Sequence, residues 1–135
     1  MKFLMHACVL LTVSCLATPA MAELVVIVNT KAAASAMTKD EVAQFYLGKS
    51  TSMTPIDQPE SAPIRAEFYK KVTGKELSQA KALWAKLIFT GKASAPGEAA
   101  GAAEVKKMVA SDPKAIGYID KSALDGSVKA VLTVQ

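Results

Sequence analysis

Ser61, Ala62 and Pro63, with Arg65 a short step further on, are the residues of this sequence best placed to hold a ligand. They open a predicted helix, with Ser61 as candidate N-cap and Pro63 in the first turn, where a missing N–H is tolerated. First-turn N–H groups and the helix dipole favour an anion there. Two readings stay open. Ser61, the Ala62 N–H and Arg65 hold an oxyanion, or Ser61 only caps its helix, worth about 1 kcal/mol, and Arg65 forms a salt bridge between helices. A second candidate follows the apolar run 24–28, where Asn29, Thr30 and Lys31 stand at the carboxyl end of a predicted strand. Ligands gather outside such ends in open α/β sheets, but an Asn after a strand also serves as turn chemistry. Asp57 and Glu60 are the right residue types for an acid/base pair. They lie in a loop with no second ingredient nearby, so no catalytic residue is assigned.

The strongest exclusions come from missing letters. Both cysteines, Cys8 and Cys15, and the only histidine, His6, fall within residues 1–22. The rest of the chain therefore has no disulfide, no Cys/His zinc site, no histidine haem ligand and no Ser-His or Cys-His nucleophile. No metal site, no cofactor and no enzymatic activity is expected.

Residues 1–22 read as a secretory signal peptide. Lys2 gives the positive start, residues 3–16 are mostly apolar, and Ala20-Met21-Ala22 supplies a small-x-small cleavage site. The apolar stretch falls short of the ~20 residues of a membrane-spanning helix, so no membrane span is expected. Ser14-Cys15 loosely fits a lipoprotein box, which makes lipidation at Cys15 a minor alternative to cleavage after Ala22. Residues 23–135 are the length of one domain. Fifteen of the sixteen Lys and Arg residues and all twelve acidic residues lie there, leaving a net charge of +3. The lysines are scattered without a basic stripe, so no nucleic-acid partner is expected.

The elements that must position the candidate residues are legible in pattern. Leu24 to Val28 is a β-branched run suited to a strand buried on both faces. Thr38 and Glu41 make a capping box, Met37 and Val42 a hydrophobic staple, and Gly48 a stop. Thr54 to Asp57 is a short strand. Ile64, Phe68 and Val72 share a helix face that ends at Gly74, and a third helix runs near Ser78 to Phe89 with Leu77, Ala80, Trp84, Leu87 and Ile88 inward. Tyr46, Tyr69, Trp84 and Phe89 are spaced as core anchors. Lys92 to Gly101 reads as a loop, 102–110 as a helix with Val105, Met108 and Val109 inward, and 116–119 and 128–134 as strands. This order predicts an α/β fold, a mostly parallel sheet covered by helices.

Taken in order, "ELVVIVN", "TKDEVAQFYLGK", "PIDQPESAPIRAEFY", "LIFTGK" and "VASDPKAIGYID" resemble one lobe of the phosphate-binding proteins of ABC transporters. The resemblance spans nearly all of residues 23–135 and implies a single lobe of the type II periplasmic-binding-protein fold in the periplasm. It implies phosphate or another small anion as ligand and an ABC permease or other envelope protein as partner. Family members grip phosphate with a Ser-Gly-Thr-type helix start, which falls on Ser61, Ala62 and Pro63 here, and place a basic residue just upstream, where this chain has Asp57 or Gln58. Family members close a cleft between two lobes, whereas this chain has the length of one. Two roles follow. The chain is a binding module for an oxyanion, or an envelope protein–protein docking domain that uses its former cleft face and has lost the small ligand.

Overall fold

The computed structural model describes residues 23–135; the expected signal peptide, with His6, Cys8 and Cys15, lies outside the described residues. The elements are β1 (Leu24–Val28), α1 (Lys39–Tyr46), β2 (Thr54–Asp57), α2 (Pro63–Phe68), α3 (Leu77–Phe89), β3 (Gly97–Glu98), α4 (Ala102–Ser111), β4 (Ala115–Asp120) and β5 (Lys129–Val134). A π-helical turn, Tyr69–Thr73, continues α2. A short 3₁₀ turn, Lys121–Ala123, follows β4.

The strands form one sheet in the order β3-β2-β4-β1-β5. β1 is buried throughout, as its run of β-branched residues requires. The sheet is mixed, however, not mostly parallel. β2 runs parallel to β3 and β4, whereas β1 runs antiparallel to both β4 and β5. A continuous apolar run reports burial on two faces and carries no information on the direction of its neighbours. β3 is also unforeseen. It is two residues long, within the Ala/Gly/Pro-rich segment expected as loop, and too short to show a period.

Two apolar clusters cover the two faces of the sheet. One joins Val26, Val28, Ile116 and Tyr118 to α1, α2 and the π turn. The other joins Val25, Ile27 and Ile119 to Val105 and Val109 of α4. α4 lies close against β4 at Gly117, where a Cβ would stand 2.6 Å from Val105 Cγ1. Thr38 and Glu41 form the expected reciprocal cap of α1. Among the described residues no helix is long and apolar enough to cross a membrane.

α3 departs from its expected face at its end. Ala80 and Trp84 are buried, and the Trp84 indole N–H donates to the Tyr46 carbonyl at 2.7 Å, docking α3 on the end of α1. One turn later that support ends. Ile88 is 48% exposed and Phe89 93%, so neither is an inward residue and Phe89 is no core anchor.

Candidate functional site

The carboxyl end of β2 is where polar chemistry enters the core. Asp57 is 3% exposed and accepts from three donors. The Tyr69 hydroxyl donates to Oδ2 at 2.6 Å, the Tyr118 hydroxyl donates to Oδ1, and the Gln58 N–H donates to Oδ1 at 3.1 Å. Arg65 lies along the same carboxylate, with Nε 3.6 Å from Oδ1. That is an ion-pair distance rather than a hydrogen bond, and the buried Nε has no hydrogen-bond partner. Arg65 Nη1 donates to the Gln58 carbonyl at 3.0 Å. Burial pushes the hydroxyls of Tyr69 and Tyr118 far above the ordinary tyrosine value, and the Asp57 charge pushes them further. Both tyrosines are thereby fixed as neutral donors to that charge.

Local structure brings these partners together. The π turn carries consecutive Phe68 and Tyr69 both into the core, at 0% and 1% exposure. Phe68 stacks on the Tyr118 ring at 4.0 Å between centroids, which holds that ring beneath the end of β2. The Gln58 side chain donates to the Tyr118 carbonyl at 2.9 Å, extending the β2–β4 pairing by one side-chain bond.

The start of α2 differs from the expected cap. Ala62, not Ser61, is the N-cap, and no side chain caps the helix. The Ala62 N–H donates to the Pro59 carbonyl at 2.9 Å, closing a turn that leaves Ser61 exposed outside the helix. Pro63 takes the first helical position, as foreseen. Glu60 is paired with Lys81 of α3 at 2.7 Å, and that ammonium holds its carboxyl below the usual glutamate range. Asp57 and Glu60 are thus each paired elsewhere and form no acid/base couple.

Ser61, Ala62, Arg65 and Gln58 are brought together at this end of the sheet. Asn29 and Thr30 are not. Because β1 is antiparallel to β4 while β2 is parallel to it, Val28 pairs with Ile116 near the start of β4, and Gln58 meets Tyr118 near its end. The carboxyl ends of β1 and β2 therefore face opposite edges. Asn29 is buried, its carboxamide donates to the carbonyls of Val109 and Ala110 at 2.9 and 3.0 Å, and its Oδ1 accepts from the Lys31 N–H. It ties the end of α4 to β1, and Thr30 beside it is exposed.

A cavity of about 290 Å³ opens beside Asp57 and Arg65, between the start of α2, α3 and the segment before β3, with Trp84 and Pro96 in its wall. Its charged lining is Asp57, Glu60 and Glu98 against Arg65 and Lys81, one negative charge in excess. That size is at the small end for ligand sites, which bury most of their ligand.

No family model and no curated protein matches the sequence. Solved structures do. A protein of Clostridium perfringens assigned as a phosphate ABC transporter substrate-binding protein, solved with bound phosphate, superposes with a TM-score of 0.66 at 20% identity, over 82% of this chain and 45% of its own. An ABC-type phosphate transport receptor of Vibrio cholerae gives 0.63 at 17% identity, over 82% of this chain and 46% of its own. The PstS protein of Borrelia burgdorferi gives 0.61 at 15%, over 82% and 47%. The fold is that of one lobe of a phosphate-binding protein. The chain spans less than half the length of each of these relatives in fold.

Within that lobe, sequence reasoning missed the two tyrosines that hold Asp57. Tyr69 reads as a core anchor in the helical pattern, and Tyr118 is a strand residue 61 positions from its partner. An Asp closing the short strand Thr54–Asp57 was the available signal, and only the third dimension supplies its burial and the donors.

Proposed function

We propose that this chain is an exported, single-lobe module of the phosphate-binding-protein kind that works in the bacterial envelope by docking on a partner protein, not by carrying phosphate or by catalysis. The observation that carries this reading is the commitment of Arg65. Its guanidinium lies against Asp57 with Nη1 on the Gln58 carbonyl, so an oxyanion at Ser61 meets a bound guanidinium and a buried carboxylate. The Ala62 N–H is held by Pro59, Pro63 has no N–H to give, and Lys81 is held by Glu60. Each charge-assisted hydrogen bond lost costs roughly 1.5–3 kcal/mol, about one to two decades of affinity. Loss of several lowers a micromolar site to a millimolar one.

The docking surface in this reading is the former cleft face, formed by the end of β2, the start of α2 and the cavity beside them, and the partner is an ABC permease or another envelope protein. The oxyanion reading draws on the exposed Ser61 hydroxyl and on the fold shared with a phosphate-bound protein. Thermal melts separate the two. A ligand that binds only the native state raises the melting temperature in a saturable way. The docking reading expects no such rise with phosphate or sulfate. It expects one envelope protein to co-purify with the wild type and to be lost when Ser61 or Glu60 is replaced by Arg. Saturable stabilisation by micromolar phosphate overturns it.

A further inference from the structure

We propose that the C-terminal end of α3 seats on an anionic lipid bilayer surface, with Phe89 and Ile88 entering the headgroup boundary and Lys86 and Lys92 meeting the lipid charge. Ile88 and Phe89, at 48% and 93% exposure, are the exposed large apolar side chains of the described residues, and they are adjacent. Helix termination sets them at a tip. Gly91 takes φ +69°, its N–H donates to the Ile88 carbonyl, and the Lys92 N–H reaches back to the Leu87 carbonyl, each at 3.0 Å. This double closure is a Schellman turn. It leaves Phe89 on the last turn of the helix, three residues from Lys86 and three from Lys92, both exposed.

Charge selects the partner. From Leu77 to Gly97 the chain holds Lys81, Lys86 and Lys92 and no carboxylate. Lys81 is paired with Glu60, and Glu98 lies on the cavity side of Ile88; among the described residues Lys86 and Lys92 form no ion pair, which leaves two positive charges flanking Phe89. A second copy packed two-fold on this face would set lysine against lysine, so self-association does not suit it. A protruding aromatic flanked by lysines suits an anionic interface, where apolar insertion and attraction to lipid charge add. With one aromatic, one aliphatic and two lysines, the binding is weak and reversible. Ile88 also lines the cavity beside Asp57 and Arg65, so the tip borders the proposed docking face, whereas Phe89, Lys86 and Lys92 lie outside that lining.

Co-sedimentation of the protein, purified as the cell exports it, with vesicles tests it, one set of phosphatidylcholine alone and one of equal parts phosphatidylcholine and phosphatidylglycerol. The wild type is expected to bind the mixed vesicles, to leave phosphatidylcholine unbound, and to dissociate as salt is raised. Phe89→Ser should weaken binding about tenfold with an unchanged melting curve, since the side chain makes no core contact. Lys86→Gln and Lys92→Gln should each weaken it about fivefold. Absence of binding to mixed vesicles, equal binding to both sets, or full binding by Phe89→Ser overturns the proposal; the first result would assign the face to an acidic protein partner instead.

Discussion

Replacing Asp57 by Ala probes the reasoning at its most consequential point. The carboxylate holds two buried tyrosine hydroxyls and a backbone N–H, and it faces a largely buried guanidinium. Alanine removes the acceptor and leaves all of these in place. Breaking one side of a buried ion pair costs about 3–5 kcal/mol, and each stranded hydroxyl adds roughly 1–3 kcal/mol unless water reaches it. Tyr69 borders the cavity and can be hydrated there, so the larger share of the loss falls on Tyr118 and Arg65. The expected total is at least about 4 kcal/mol, against the ~5–15 kcal/mol that holds a domain folded. Urea unfolding followed by circular dichroism measures it, and the melting temperature should fall by about 15 °C. Asp57→Asn keeps one acceptor oxygen and the shape, and should lose roughly half as much. If Asp57→Ala costs less than about 1 kcal/mol, the carboxylate is not satisfied by the protein, and the assignment of this cluster to structure rather than ligand is refuted.

Two further outcomes follow from the same packing. All three tyrosines of the chain, Tyr46, Tyr69 and Tyr118, are buried with their hydroxyls raised well above the ordinary value. The folded state keeps its protons where the unfolded state begins to lose them near pH 10, so stability is full below that pH and falls above it, by up to about 1.4 kcal/mol per pH unit per tyrosine. Absorbance at 295 nm should show no phenolate until the fold is lost, then all three together; gradual ionisation near pH 10 with intact circular dichroism contradicts this. Gly117→Ala places a Cβ 2.6 Å from Val105 Cγ1 and 3.3 Å from Val109 Cγ2. It should cost about 1–3 kcal/mol in denaturant unfolding, partly restored by Val105→Ala in the double mutant.

What the sequence made legible was local or periodic. The capping box of Thr38 and Glu41 spans four residues and formed as read, because all its partners are neighbours in the chain. The burial of β1 was legible from its composition, but its antiparallel pairing was not. Direction and register are set by β4 and β5, whose residues lie about 90 or more positions away. That one unknown hid the distance between the two candidate sites, since the antiparallel β1 sends Asn29 and Thr30 to the edge opposite Ser61. Phe89 shows a different limit. Periodicity tells which side of a helix faces inward, but not where the core beneath it stops. At Ser61, residue type suggested a cap, and the Pro59–Ala62 turn moved the cap one residue on.

Isothermal titration of residues 23–135 with phosphate tests the central claim, that this lobe shares its fold with phosphate-binding proteins without sharing their affinity. The account predicts no saturable heat at micromolar phosphate, and a Kd of about 1 mM or weaker, for wild type and Ser61→Ala alike. A micromolar Kd that Ser61→Ala abolishes would contradict it, and would return the start of α2 to ligand binding.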